Sequence, residues 1–462
     1  MSKKQQSHKH EILNDNLWRV AIKLSWPAVL AMVLYGLNTV FDAIFVGKFV
    51  GETALAGISI VYPLSQVTLG LGSLIGVGAG SALSIAIGSN DHDTQKKMLG
   101  NVNYLAIVST IIYMVLVWFL APFLVRMMGG DLQTSPFGLS YFRVTILGSF
   151  FWVLGLAYNM IVRAEGKMKS AAVMMAVGLG VNIFANYVFV VVMELGVEGA
   201  AWGTNIGMLI YTIAGLLYFK GKKVSFDAKP FTISRDRQIQ KSIMSMGMSS
   251  FIMTFMSLIQ GLVVLNALSK HGSTMDLAFY GAAFRLYTFL LTPIFGFMRA
   301  LQPVVGINYG AQQYDRVIES FKVFAKCAML LLLPFWLFLM AKPLAILGLI
   351  LDVSTLRASD VWNFRVFMSL LPILPTIFMA MTFFPAIDKG KVAAMMGIGR
   401  QLVFYVPVML VLPRLLGVQW VYYGSTIIDI TMSIWMMYVV KKEFNVLRNQ
   451  TLVSDVCYEN RA

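Results

Sequence analysis

Long apolar stretches, separated by short polar segments, run through the whole chain. Uncharged runs bounded by charged residues place seven helical spans at Leu24–Phe41, Thr53–Asn90, Met98–Val125, Val144–Val162, Ser170–Met193, Gly199–Phe219 and Ser242–Ser269. Five more are read at Leu277–Ile307, Cys327–Ala341, Val366–Ile387, Val392–Pro413 and Val418–Val440, the first interrupted by Arg285 and Arg299 and the last by Asp429. A bilayer crossing takes about 20 residues, and most of these runs reach that length. Thr53–Asn90 could barely hold two crossings and a turn, and Gly88-Ser89-Asn90 reads as its terminating turn, so it is taken as one long helix. The pattern predicts an all-α polytopic membrane protein with twelve transmembrane helices.

Composition agrees with that reading. The 462 residues are 58% hydrophobic and 13% charged, whereas soluble domains run at about 45–50% apolar and about 25% charged. With 37 Lys and Arg against 22 Asp and Glu the net charge is +15, which would suggest a nucleic-acid partner if the charges formed one patch. They do not. With twelve spans and the N-terminal segment inside, 27 Lys and Arg fall on inner segments and six outside, at Lys48, Arg126, Lys270, Lys342, Arg357 and Arg414. That bias places both termini in the cytoplasm by the positive-inside rule, and no nucleic acid is expected. Residues 1–16 are polar and read as a cytoplasmic tail rather than a signal peptide. Cys327 and Cys457 imply no disulfide framework, and the four histidines lie in polar segments without metal-pair spacing, so no metal centre, haem or other cofactor is expected.

Shifting the chain by about 222 residues aligns several unlike signals. Tyr141-Phe142-Arg143-Val144 faces Asn363-Phe364-Arg365-Val366, Leu195-Gly196-Val197 faces Leu416-Gly417-Val418, and Gly88 faces Gly310. Arg163-Ala164-Glu165-Gly166-Lys167 likewise faces Ile387-Asp388-Lys389-Gly390-Lys391. Six spans per repeat make the halves parallel, with a ligand site expected between or inside them. The expected division is a tail and first lobe at 1–219, a basic cytoplasmic linker at 220–241, and a second lobe with its tail at 242–462. Paired lobes suit alternating access. No catalytic dyad or metal pair sits on facing helices, so an enzyme is not expected.

Together these motifs resemble the multidrug and toxic compound extrusion (MATE) family over about residues 17 to 440. The resemblance is carried by Trp26-Pro27 with residues 38–47 (NTVFDAIFVG), RAEGK at 163–167, NIFANYVF from Asn182, LGVEGAAWGTN from Leu195, and residues 302–311 (QPVVGINYGA). It implies a V-shaped pair of six-helix lobes in the cell membrane, a monomer exporting small amphipathic or cationic compounds against H⁺ or Na⁺. The family's cation-coupling site maps onto Asp42, Asn182 and Thr204, and Pro27 matches its bending proline. Members with that site usually carry a second aspartate one turn past the asparagine, where this chain has Asn186. Helix 7 shows Ser257 and Gln260 instead of the glutamate some members carry, and Val366–Ile387 holds no acid.

From the residues themselves, Asp42 is an interfacial carboxylate or a functional one; a carboxyl kept from water can take up and release a proton. Asn182 and Asn186 share a helix face at i, i+4 and could ligate Na⁺ with Thr204, support a carboxylate, or bond neighbouring helices. Asp429, with Gln260, is the second-lobe candidate for a substrate cavity, unless Arg285 or Arg299 neutralises Asp429 within the protein. The lone Asp42 favours H⁺ over Na⁺ as coupling ion. A flippase for a lipid-linked oligosaccharide is the alternative, and would need a basic cleft.

Overall fold

The computed structural model describes residues 3–128, 131–221, 224–348, 351 and 356–459. Lys222 and Lys223 of the expected basic linker lie outside the described residues, as does the side chain of Cys457.

The apolar runs form helices, most of them longer than the uncharged segments, because turns at both ends continue into polar sequence. After a short helix α1 (Lys3–Asn14), the first half contains α2 (Leu17–Phe49), α3 (Glu52–Gly88), α4 (His92–Met127), the pair α5 (Ser135–Leu147) and α6 (Ser149–Ala164), α7 (Met168–Asn186) with a π-helical end at Tyr187–Val192, and α8 (Gly196–Lys220). The second half repeats the order: α9 (Arg237–His271), α10 (Thr274–Gly310), α11 (Tyr314–Ala341) with the short α12 (Pro343–Leu347), the pair α13 (Ala358–Met368) and α14 (Leu374–Ala386), α15 (Gly390–Ile398) joined through a π-helical stretch Gly399–Tyr405 to α16 (Val406–Leu416), and α17 (Trp420–Glu459). The fold is twelve crossings in two six-helix lobes. Ten described helices meet the length and apolarity of a crossing alone, and α5 with α6, bent by 54°, makes an eleventh. The broken α13–α14 pair supplies the twelfth.

Both breaks have identifiable causes. At the α5–α6 bend, Asn205 Nδ2 donates to the Val144 carbonyl at 2.7 Å, and Gly148 leaves room for that amide, since a Cβ there would lie 2.0 Å from Asn205 Oδ1. At the second break Pro372 has no N–H for the Met368 carbonyl, which accepts from the Leu371 N–H at 3.1 Å and from the Trp336 indole at 3.0 Å. The two breaks fall in equivalent spans of the two halves. The turns repeat as well: left-handed backbone occurs at Asn90 and Gln312, Gly166 and Asp388, and Gly196 and Gly417, each pair 221 or 222 residues apart.

The lobes meet through α2 and α3 of one and α9 and α10 of the other. Glycines bring the backbones together reciprocally: a Cβ on Gly88 would lie 2.2 Å from the Ile307 carbonyl, and one on Gly310 would lie 2.1 Å from that of Ile85. Gly78 against Ile243 and Gly247 against Leu74 approach as closely. These contacts cluster at the end bearing the turns at Asn90, Gly166, Gln312 and Asp388. Toward the other end Phe41, Tyr62, Phe255 and Leu262 are exposed, so the lobes diverge there.

Residues 3–14 are a helix packed on the closed end, not the plain polar tail expected from sequence. Lys9 Nζ donates to the carbonyls of Ile87 and Gly88 at 2.7 and 3.1 Å, Arg316 Nε donates to the Ile12 carbonyl at 3.0 Å, and Ile12 is buried. The N-terminal segment thus touches both lobes. Its polar composition concealed one apolar anchor and a set of exposed carbonyls that only folding assembles.

Candidate functional site

The N-lobe site begins with two glycine-lined helices. On α8, Gly203 and Gly207 stand one turn apart, and a Cβ on either would strike Asn186 Oδ1 at 2.1 Å or Asn182 Cβ at 2.6 Å. Absent side chains on α8 therefore admit the two asparagines of α7, which are wholly buried between the helices. The spacing Gly199, Gly203, Gly207 is the sequence signal that would have located this seam.

From that seam Asn186 Nδ2 donates to Asp42 Oδ1 at 2.6 Å, joining α7 to α2. Asn38, one turn before Asp42, donates to Oδ2 at 3.3 Å. Asn182 Nδ2 donates to Thr204 Oγ1 at 3.3 Å, and that hydroxyl donates to the Ala200 carbonyl at 3.1 Å. Asp42, Asn182, Asn186 and Thr204 thus assemble in one lobe, as two hydrogen-bonded pairs rather than one ring. Sequence reasoning missed Asn38 and the tyrosines around them. Tyr35, Tyr62 and Tyr141 lie within electrostatic reach of Asp42, and Tyr141 also faces the Thr204 hydroxyl.

No Lys, Arg or His among the described residues forms an ion pair with half-buried Asp42. Uncharged polar groups hold the carboxylate instead. It lines a cavity with Thr39, Ser59, Tyr62 and Tyr141; a neighbouring N-lobe cavity is walled by Tyr35, Asn38, Trp152, Asn182 and Tyr211. No Lys or Arg lines either.

The second-lobe candidate has a different setting. Asp429 Oδ1 accepts from Arg400 Nη2 at 2.8 Å, and Asp429 is 8% exposed. Neither expected partner is used, because Arg285 is exposed and Arg299 reaches across to Met160 Sδ at 3.5 Å. Arg400, within the span read at Val392–Pro413, lies inside the crossing Gly390–Leu416, in a π-helical turn. Tyr287 and Tyr405 face the pair, and Gln260 meets the Tyr405 hydroxyl. Pro27 is buried within the continuous α2. Among the described residues no group of three or more His, Cys, Asp or Glu could hold a metal ion.

Two parallel six-helix lobes, closed at one end, with an amide-held carboxylate inside one of them, define a polytopic membrane protein of the two-lobe transporter class. A family model described as MatE matches residues 27–188 and 246–411, and the chain belongs to that family. The chain is 23% identical over 412 residues to a Multidrug export protein MepA of Staphylococcus saprophyticus, covering 89% of this chain and 90% of that one. A crystal structure described as MATE in the bent conformation superposes with TM-score 0.89 at 22% identity, over 98% of this chain and 100% of that one. A second, described as MATE in the straight conformation, gives TM-score 0.88 at 22% identity over 95% and 98%.

Proposed function

We propose that the chain is a multidrug exporter of the cell membrane that expels small amphipathic or cationic compounds in exchange for H⁺, by alternating access and without catalysing a chemical reaction. The observation that carries the coupling is Asp42: a transmembrane carboxylate with two amide donors and no basic partner. A charge in that position calls for a mobile cation. Both carboxylate oxygens face amide nitrogens, while Asn186 Oδ1 is turned toward Gly203. Na⁺ needs several convergent oxygens, whereas a proton needs only the carboxylate, so H⁺ is favoured over Na⁺.

Protonation gives a mechanical consequence. The ionised carboxylate accepts from Asn186 and Asn38 at once, in bonds strengthened by its charge. Neutral Asp42 weakens the link between α2 and α7 and frees α2 to bend, with Pro27 as the hinge. Outward-open lobes such as these would release substrate as the proton enters, and the halves would then rock about their glycine seam. The walls of the N-lobe cavities, apolar and aromatic with no Lys or Arg, suit a cationic amphiphile and disfavour the anionic lipid of a flippase. We further assign a monomer with both termini cytoplasmic and lobes bounded at 1–219 and 242–462.

Reconstituted efflux tests the coupling. With the pH gradient collapsed by a protonophore under a maintained Na⁺ gradient, transport is expected to stop; undiminished transport would overturn H⁺ as the required ion.

A further inference from the structure

Two arginines from opposite lobes meet at the closed interface without an acid between them. Arg163, at the end of α6, is 2% exposed; its Nε donates to Asn159 Oδ1 at 2.6 Å, while Nη1 and Nη2 are buried with no partner. Arg299, on α10 of the other lobe, has the Met160 sulfur as its one recorded partner among the described residues, at 3.5 Å. Met160 lies one turn before Arg163 on the same helix, so that contact brings Arg299 beside Arg163. The two guanidiniums are close enough to repel each other, and both act on the Tyr211 hydroxyl, which is itself buried without a partner. Glu165, the nearest carboxylate in sequence, is turned away onto the Ser225 amide and Lys167.

Neutral water could accept the unused N–H groups, but it would leave two like charges from separate lobes facing each other at the interface. Burying a charge requires a counter-charge as well as hydrogen bonds. Among the described residues no carboxylate pairs with either guanidinium. We propose that Arg163, Arg299 and the Tyr211 hydroxyl bind a small monovalent inorganic anion of the halide class, which bridges the lobes and stabilises the state closed at this end. Separation of the lobes parts the two guanidiniums and releases the anion. The site shares Tyr211 with the wall of the neighbouring N-lobe cavity but does not include Asp42, and its test does not depend on the coupling ion.

The test uses the purified full-length chain in detergent, with chloride replacing gluconate at constant ionic strength. The thermal unfolding midpoint of the wild type is expected to rise saturably by about 2–3 °C, and that of Arg299→Gln to stay flat. Arg163→Gln should behave alike, but as a fully buried change it risks misfolding, so the half-buried Arg299 carries the comparison. A bromide-soaked crystal is expected to show an anomalous peak in contact with both guanidiniums. Equal wild-type midpoints in the two salts, an equal rise in Arg299→Gln, or water alone at that position would each overturn the proposal.

Discussion

Each lobe places a carboxylate within a transmembrane helix, and the two are neutralised in opposite ways. Asp429 of α17 is held by Arg400 at 2.8 Å in the second lobe. Asp42 of α2 has amides at 2.6 and 3.3 Å and no basic partner. A buried ion pair is complete in itself, and breaking it costs more than the pair is worth. A carboxylate supported only by neutral donors has no resident counter-charge and depends on whatever cation arrives. The duplicated architecture has thus diverged: one half stores its charge, and the other leaves it available.

Substitutions at these positions break the comparison in graded ways. The largest effect is expected of Asp42→Asn, which preserves volume but removes the ionisable group: gradient-driven efflux in vesicles should fall to background while the unfolding temperature stays near wild type. Full efflux by that variant would place coupling elsewhere. Next comes Asp429→Asn, which strands the Arg400 charge and should cost about 3 kcal/mol of stability, read as a lower unfolding midpoint that Asp429→Met with Arg400→Met largely restores. If instead stability holds and efflux of cationic substrates alone declines, Asp429 belongs to the substrate path. The smallest change is Asn186→Asp, which exchanges the amide donor for a second carboxylate beside Asp42. Two carboxylates cannot share that site without a cation between them, so efflux should acquire a dependence on Na⁺ that the wild type lacks, measured by titrating Na⁺ at fixed pH.

A second contrast lies between the closed and open ends of the lobes. At the closed end α3 and α9 approach with glycine against backbone, and helix α1 spans both halves from Lys9 to Ile12. Packing this tight behaves as discrete alternatives rather than a soft hinge. The proposed anion between Arg163 and Arg299 acts on the same interface.

Much of the architecture was decided by the sequence alone. In hydrocarbon the backbone must satisfy its own hydrogen bonds, so apolar runs of sufficient length become helices whatever surrounds them. For the same reason the twelve crossings were legible before any coordinates; the half-chain repeat was read from shared motif spacings, and the grouping of Asp42 with Asn182, Asn186 and Thr204 came from the family resemblance. Side-chain partnership was not legible. Nothing in the sequence paired Arg400 with Asp429; a π-helical turn and the packing of α17 set its direction. Tyr62 and Tyr141 carried no spacing signal, since α3 and α5 converge on Asp42 only after the lobe folds, whereas Tyr35 stands two turns before Asp42 on the same face of α2 and its i, i+7 spacing could have been read. The breaks at Gly148 and Pro372 depend on Asn205 and Trp336 arriving from other helices to satisfy freed carbonyls. A one-dimensional pattern records what each residue requires of its solvent, bilayer or water. Which group meets that requirement is a matter of distances across the fold, and the tertiary structure alone decides it.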